Sequence, residues 1–141
     1  MSQENVEIVR RAFEAFNARD LDRHYVEFFD REVEWRTSVE DPDAATHRGL
    51  QAYKRYVERW LESFEGLHAD VEEYIDAGDD RVFTWNRYAG RGRESGVPAD
   101  WYLAIIFTIR DGKIVRAEEY FDRAEALEAV GLAEPDAHAD S

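Results

Sequence analysis

The sequence predicts an α+β domain in which helices come first and a curled, mostly antiparallel sheet follows. Three observations lead there. Apolar residues recur at helical spacing up to residue 64, and from residue 67 onward the period changes to two. Gly78-Asp79-Asp80, the stretch from Gly90 to Gly96, and Asp111-Gly112 then divide the second half into four strands joined as hairpins. Helices segregated to one face of such a sheet leave a concave side that holds a pocket.

Val6, Val9, Phe13 and Phe16 mark an opening amphipathic helix that ends near Asn17-Ala18-Arg19-Asp20. Asp20 caps a second helix bearing His24, Tyr25, Phe28 and Phe29, which gives way at Asp30-Arg31 to a short strand, Val33 to Arg36. A loop containing Asp41-Pro42-Asp43 and Thr46-His47-Arg48-Gly49 leads to a third helix, whose broad face carries Tyr53, Tyr56, Val57, Trp60, Leu61 and Phe64. After the four strands, Asp122 with Glu125 reads as the cap of a short last helix through Leu127 and Val130, stopped by Gly131. Residues 1–132 are expected to form one domain, and residues 133–141, with nothing to bury, a frayed tail.

The chain is 141 residues long, 44% hydrophobic, and carries a formal net charge of -14. Its size suits one domain with a real core. The charge repels phosphate backbones and anionic lipid, so the reading is no nucleic acid and no membrane partner. Cysteine is absent, which removes thiolate nucleophiles and cysteine-held metal centres. The polar, acidic start and the lack of an apolar run near ~18 residues predict a soluble, cytoplasmic protein without a signal peptide.

The strand Lys113 to Asp122 carries the main functional signal, because neighbouring strand residues point to opposite faces. Glu118 shares a row with Ile114, Arg116 and Tyr120, whereas Glu119 shares one with Val115, Ala117 and Phe121. A carboxyl held among apolar side chains has its charged form disfavoured, which brings a general base into use near neutral pH. Glu119 is the candidate catalytic residue. The competing reading is an ion-paired strand glutamate, with Arg87 as a possible partner.

The strand Trp101 to Ile109 has a large apolar row, Trp101, Leu103, Ile105, Phe107 and Ile109, and a smaller one, Tyr102, Ala104, Ile106 and Thr108. The smaller row is expected to face the helices and leave room for a cavity, and the larger one to pack on a second copy as a homodimer. The predicted pocket therefore holds Trp35, Tyr102, Ala104, Phe121 and Glu119. The strand at residues 81–91 sets Val82, Thr84, Asn86 and Tyr88 against Arg81, Phe83, Trp85 and Arg87, and the pattern leaves open which row faces inward. If the first row does, Asn86 and Tyr88 can donate to a ligand carbonyl.

Taken in order, Asn17-Ala18-Arg19-Asp20-Leu21, Val33-Glu34-Trp35, His47-Arg48-Gly49, Gly90 to Gly96 and Asp111-Gly112-Lys113-Ile114-Val115 resemble the SnoaL-like branch of the nuclear transport factor 2-like superfamily. The resemblance spans about residues 3 to 132. It implies a cystatin-like cone of three helices on a curved sheet, often dimeric through the outer sheet face. Members include polyketide cyclases, ketosteroid isomerases, epoxide hydrolases and non-catalytic binders. The isomerase's tyrosine and two aspartates fall at Ala12, at Trp35 and at or beside Ala104, so that activity is not implied here. The epoxide hydrolase triad of two acids about an arginine has no counterpart on the Tyr102 to Thr108 strand. SnoaL-type cyclases keep an acid deep in the cone as proton acceptor, and the resemblance implies Glu119 as the available candidate for it.

No histidine pair has metal-site spacing, and no metal or other cofactor is expected. Gly90 to Gly96 lacks the glycine positions and following helix of a dinucleotide fingerprint and reads as a hairpin rim. Two functions remain. One is a small-molecule enzyme in which Glu119 takes a proton from a mostly apolar substrate, without a cofactor. The other is a non-catalytic ligand-binding or dimerisation module.

Overall fold

The computed structural model describes residues 2–132, so the expected tail at 133–141 lies outside the described residues. The elements run α1 (Ser2–Asn17), α2 (Leu21–Phe28), β1 (Phe29–Arg36), β2 (Thr46–Arg48), α3 (Leu50–Ser63), β3 (Phe64–Gly78), β4 (Arg81–Gly92), β5 (Pro98–Arg110), β6 (Lys113–Tyr120) and α4 (Arg123–Ala129). One six-stranded sheet has the order β2-β1-β6-β5-β4-β3. All neighbours are antiparallel except β1 and β6, which run parallel with Trp35 beside Ala117. That parallel pair joins β1 to β6, the strand that bears Glu119, and sets Trp35 near it.

The helix junction explains its own letters. Asn17 donates from Nδ2 to the Ala69 carbonyl at 2.8 Å and accepts from the Ala69 amide at 2.9 Å, tying the end of α1 to β3. Arg19 takes a left-handed turn at φ 61° and donates to the Phe16 carbonyl. Asp20 precedes α2 as expected but makes no side-chain cap bond, whereas Asp122 caps α4 by accepting from the Ala124 and Glu125 amides. Between β3 and β4 the register slips at Glu65 to His68. Gly90 sits against this bulge, where a Cβ would meet the Leu67 Cα at 3.2 Å, so a side chain there would press on the β3 backbone.

Two apolar layers result. The larger, under α1 to α3, takes in Phe13, Tyr53, Leu103, Ile105 and Phe107. The smaller, under α4, consists of Phe83, Ala104, Ile106, Ala126, Leu127 and Val130. The expected orientation of β5 is therefore reversed. Its bulky row is buried beneath the three helices, which have the area to cover it, and the small Ala104 lets α4 come close on the other face. The bulky row is no surface for a second copy. The short strand β2 was not legible in the sequence; three residues held by pairing with β1 carry no period of their own. No helix among the described residues is long and apolar enough to cross a membrane.

Candidate functional site

Between the helices and the sheet lies a cavity with about 60 Å³ open to the centre of a water-sized sphere, within 620 Å³ of unoccupied space counted out to solvent. Ten of the sixteen lining side chains are Phe, Trp or Tyr, none is Lys or Arg, and Glu119 is the sole carboxylate. The register explains the arrangement: Glu119 lies opposite Ile105, Ile105 opposite Thr84, and the inward row continues toward the mouth as Leu103, Trp101 and Tyr88.

Glu119 is 6% exposed. Its Oε2 accepts from Trp35 Nε1 at 2.6 Å and from the Tyr56 hydroxyl at 2.7 Å. No donor among the described residues reaches Oε1, which is left for a molecule entering the cavity. Burial pushes the carboxyl up to about 7 from an ordinary 4.5, opposed by the two hydrogen bonds and reinforced by Asp41 in the loop between β1 and β2. Arg87, considered above as a partner, projects from the other face of the sheet, where its Nε donates to Asp100 at 2.9 Å.

The donors are themselves held in place. Trp35 stacks on Tyr53 with ring centroids 4.8 Å apart, and Tyr53 stacks on Phe29 at 4.6 Å. His24 Nδ1 lies 2.8 Å from the Ala12 carbonyl, which can only accept, so Nδ1 carries the proton and Nε2 accepts from the Tyr53 hydroxyl at 2.9 Å. Burial lowers His24 to about 4, so it is neutral at physiological pH. Burial, and then the nearby Glu119, hold the Tyr56 and Tyr88 hydroxyls well above the ordinary tyrosine range. Among these groups only Glu119 changes charge near neutrality.

Of the residues expected around the pocket, Glu119, Trp35 and Tyr88 line it and Asn86, Tyr102, Ala104 and Phe121 do not. Asn86 is on the inward row but is fully buried, its Nδ2 spent on Thr84 Oγ1 and the Leu103 carbonyl, both at 3.0 Å. Tyr102 is 42% exposed on the outer face, stacked on Trp85 and donating to Glu72. Ala104 lies beneath α4. Phe121 keeps the alternation in sequence, but β6 ends at Tyr120 and the chain turns out to the Asp122 cap, leaving Phe121 41% exposed.

Tyr56 is the partner that sequence reasoning passed over as core. Its signal was available: a tyrosine on the buried face of α3 must find a partner for its hydroxyl. Trp60 and Trp101, also on the lining, stack at 5.4 Å, and Tyr88 stacks on Trp101 at 5.7 Å, forming an aromatic mouth. Among the described residues no three His, Cys, Asp or Glu side chains gather as a metal site.

A model of the SnoaL-like domain matches residues 9–117, from the first core valine of α1 to the centre of β6. The chain belongs to the SnoaL-like domain family. No curated protein matches it significantly. Among solved structures, a protein from a soil-derived mobile gene cassette is 25% identical with a TM-score of 0.77, covering 92% of this chain and 97% of its own. A nuclear transport factor 2-like protein from Burkholderia thailandensis is 28% identical with a TM-score of 0.72, covering 84% and 90%. A SnoaL-like protein from Jannaschia sp., 21% identical with a TM-score of 0.74 over 95% and 94%, shares the fold. The SnoaL-like cone thus extends through α4, beyond the last matched residue.

Proposed function

We propose that the cone cavity binds one small, mostly apolar molecule and that Glu119 accepts a proton from it without a cofactor, as in a cyclase-like or isomerase-like reaction. The observation that carries this reading is that Glu119 lines an aromatic cavity with Oε2 paired to Trp35 and Tyr56 and no donor among the described residues on Oε1. Two donors on one oxygen fix the orientation of the carboxyl, and burial brings its proton affinity to the working range of a general base. In the step itself, the ionised Oε1 takes a proton from a carbon next to a carbonyl. The C–H electron pair moves into the enolate, and Tyr88, whose side chain shares the cavity lining, is assigned as the donor to the enolate oxygen. The protonated Glu119 then returns the proton.

Deuterium exchange at the α-carbon of cyclohexanone in D2O, followed by proton NMR, tests the reading. Exchange above buffer should rise with pH and level off above about 7, and should disappear in Glu119→Gln. Equal exchange by both proteins would leave the cavity with binding alone.

A further inference from the structure

We propose that the ligand of this cavity is an organic monocation, a small alkylammonium whose charged nitrogen sits against Glu119 Oε1 within the aromatic walls. The proposal rests on the reading above that the cone cavity is the binding site. It needs no proton transfer.

The cavity is electrostatically one-sided. It holds one carboxylate, no lysine or arginine, and a histidine kept neutral by burial. An anionic ligand would meet Glu119 with nothing to offset the repulsion, in a protein of net charge -14 that repels it at a distance as well. A neutral apolar ligand would displace water from Oε1 and favour the protonated acid, whereas a monocation can pair with the ionised carboxylate.

The walls favour the same class. Tyr56, Trp60, Tyr88 and Trp101 all line the space, and their ring faces attract an alkylated ammonium while tolerating its methyl groups. Size agrees: a sphere of about 60 Å³, widened by the ~1.4 Å radius of a water, is about 3.8 Å in radius, enough for a compact group of about five heavy atoms.

The groups facing Glu119 are Trp35 from β1, Tyr53 and Tyr56 from α3, Asp41 from the β1–β2 loop and Tyr88 from β4, with His24 of α2 on the same lining and the His47 ring tilted against Tyr56 at 4.5 Å. Burial, Arg59 and Arg55 lower His47, and the tyrosines are raised, so the proton that competes with a bound cation near neutral pH is the one on Glu119.

Isothermal titration of the full chain with choline and with its uncharged isostere 3,3-dimethyl-1-butanol, in sodium phosphate at pH 8.0 and 5.5, tests this. Choline should bind at pH 8.0, weaken about tenfold or more at pH 5.5 because the competent ionised fraction falls, and weaken by a similar factor in Glu119→Gln. Trp101→Leu, which keeps an apolar wall but removes a ring face, should weaken choline and leave the alcohol unchanged. If the alcohol binds as tightly as choline, and both ignore Glu119→Gln, the cation proposal is overturned while the cavity reading stands. If neither binds at millimolar concentration, both fall.

Discussion

Glu118 and Glu119 are neighbours in sequence and face opposite sides of β6. Glu118 reaches Arg36 at 3.4 Å and Arg116 at 4.0 Å, and its side chain is 22% exposed, so its charge is matched and partly hydrated. Glu119 meets an indole, a phenol and an aromatic cavity, with no cation among its partners. The same side chain is a partly exposed ion-pair member in one case and a buried, protonatable group in the other. What separates them is the sheet: the outer face near Glu118 is polar where α4 does not cover it, while the inner face is enclosed by three helices.

The contrast breaks most severely if the inner scaffold is removed. Trp35→Ala deletes the stack on Tyr53 and a donor to Glu119, and should cost about 3–5 kcal/mol of stability, as large aromatic truncations in cores do. The outer Tyr102→Ala should cost under about 1 kcal/mol. Urea denaturation of both variants measures the difference, and similar losses would mean that the outer face is as closely packed as the inner one.

The next effect is electrostatic, and its sign is fixed by direction. The folded value of Glu119, about 7, lies above its ordinary 4.5, so the folded state binds the extra proton. The stabilisation is fully present below about pH 4.5, declines as pH rises, and is gone above about 7, an amplitude of up to about 3 kcal/mol. Glu119→Gln has no such decline. The variant should match the natural protein near pH 4.5 and exceed it by about 1–3 kcal/mol at pH 8, as read from paired thermal melts. A Gln variant less stable at pH 8 would show that the carboxylate is paired in solution.

Tyr53→Phe should cost about 1–2 kcal/mol, since it leaves His24 Nε2 buried without its donor. Lower stability should come with a raised His24 pKa only if the pocket admits water, and NMR titration of the ring reads this directly. Glu118→Gln should have the smallest effect, below about 1 kcal/mol and reduced further by added salt, because its partners are partly exposed arginines. A salt-independent loss of several kcal/mol would erase the distinction between the two glutamates.

Much of the architecture was legible from local pattern. Helical spacing up to Phe64, alternation after it, and the Asp111-Gly112 turn, both residues at positive φ, are properties of nearby residues acting together. The inward placement of Glu119 was legible for the same reason, since alternation on β6 holds as far as Tyr120. Alternation separates two rows without saying which one the helices cover, and there the reading of Tyr102 and Ala104 failed. Phe121 failed because a strand's end depends on the helix that follows. Tyr56 and Trp35 come from elements distant in sequence, and their convergence on one oxygen has no local trace.

The sequence by itself determined the order of elements, the alternation of β6 and a net charge of -14, since these depend on composition and on neighbours a few residues apart. The tertiary structure alone decided which face of β5 is inside, which donors hold Glu119 Oε2, and that no cation reaches Oε1. Those outcomes depend on the area that each set of helices can cover and on contacts between residues 63 and 84 positions apart.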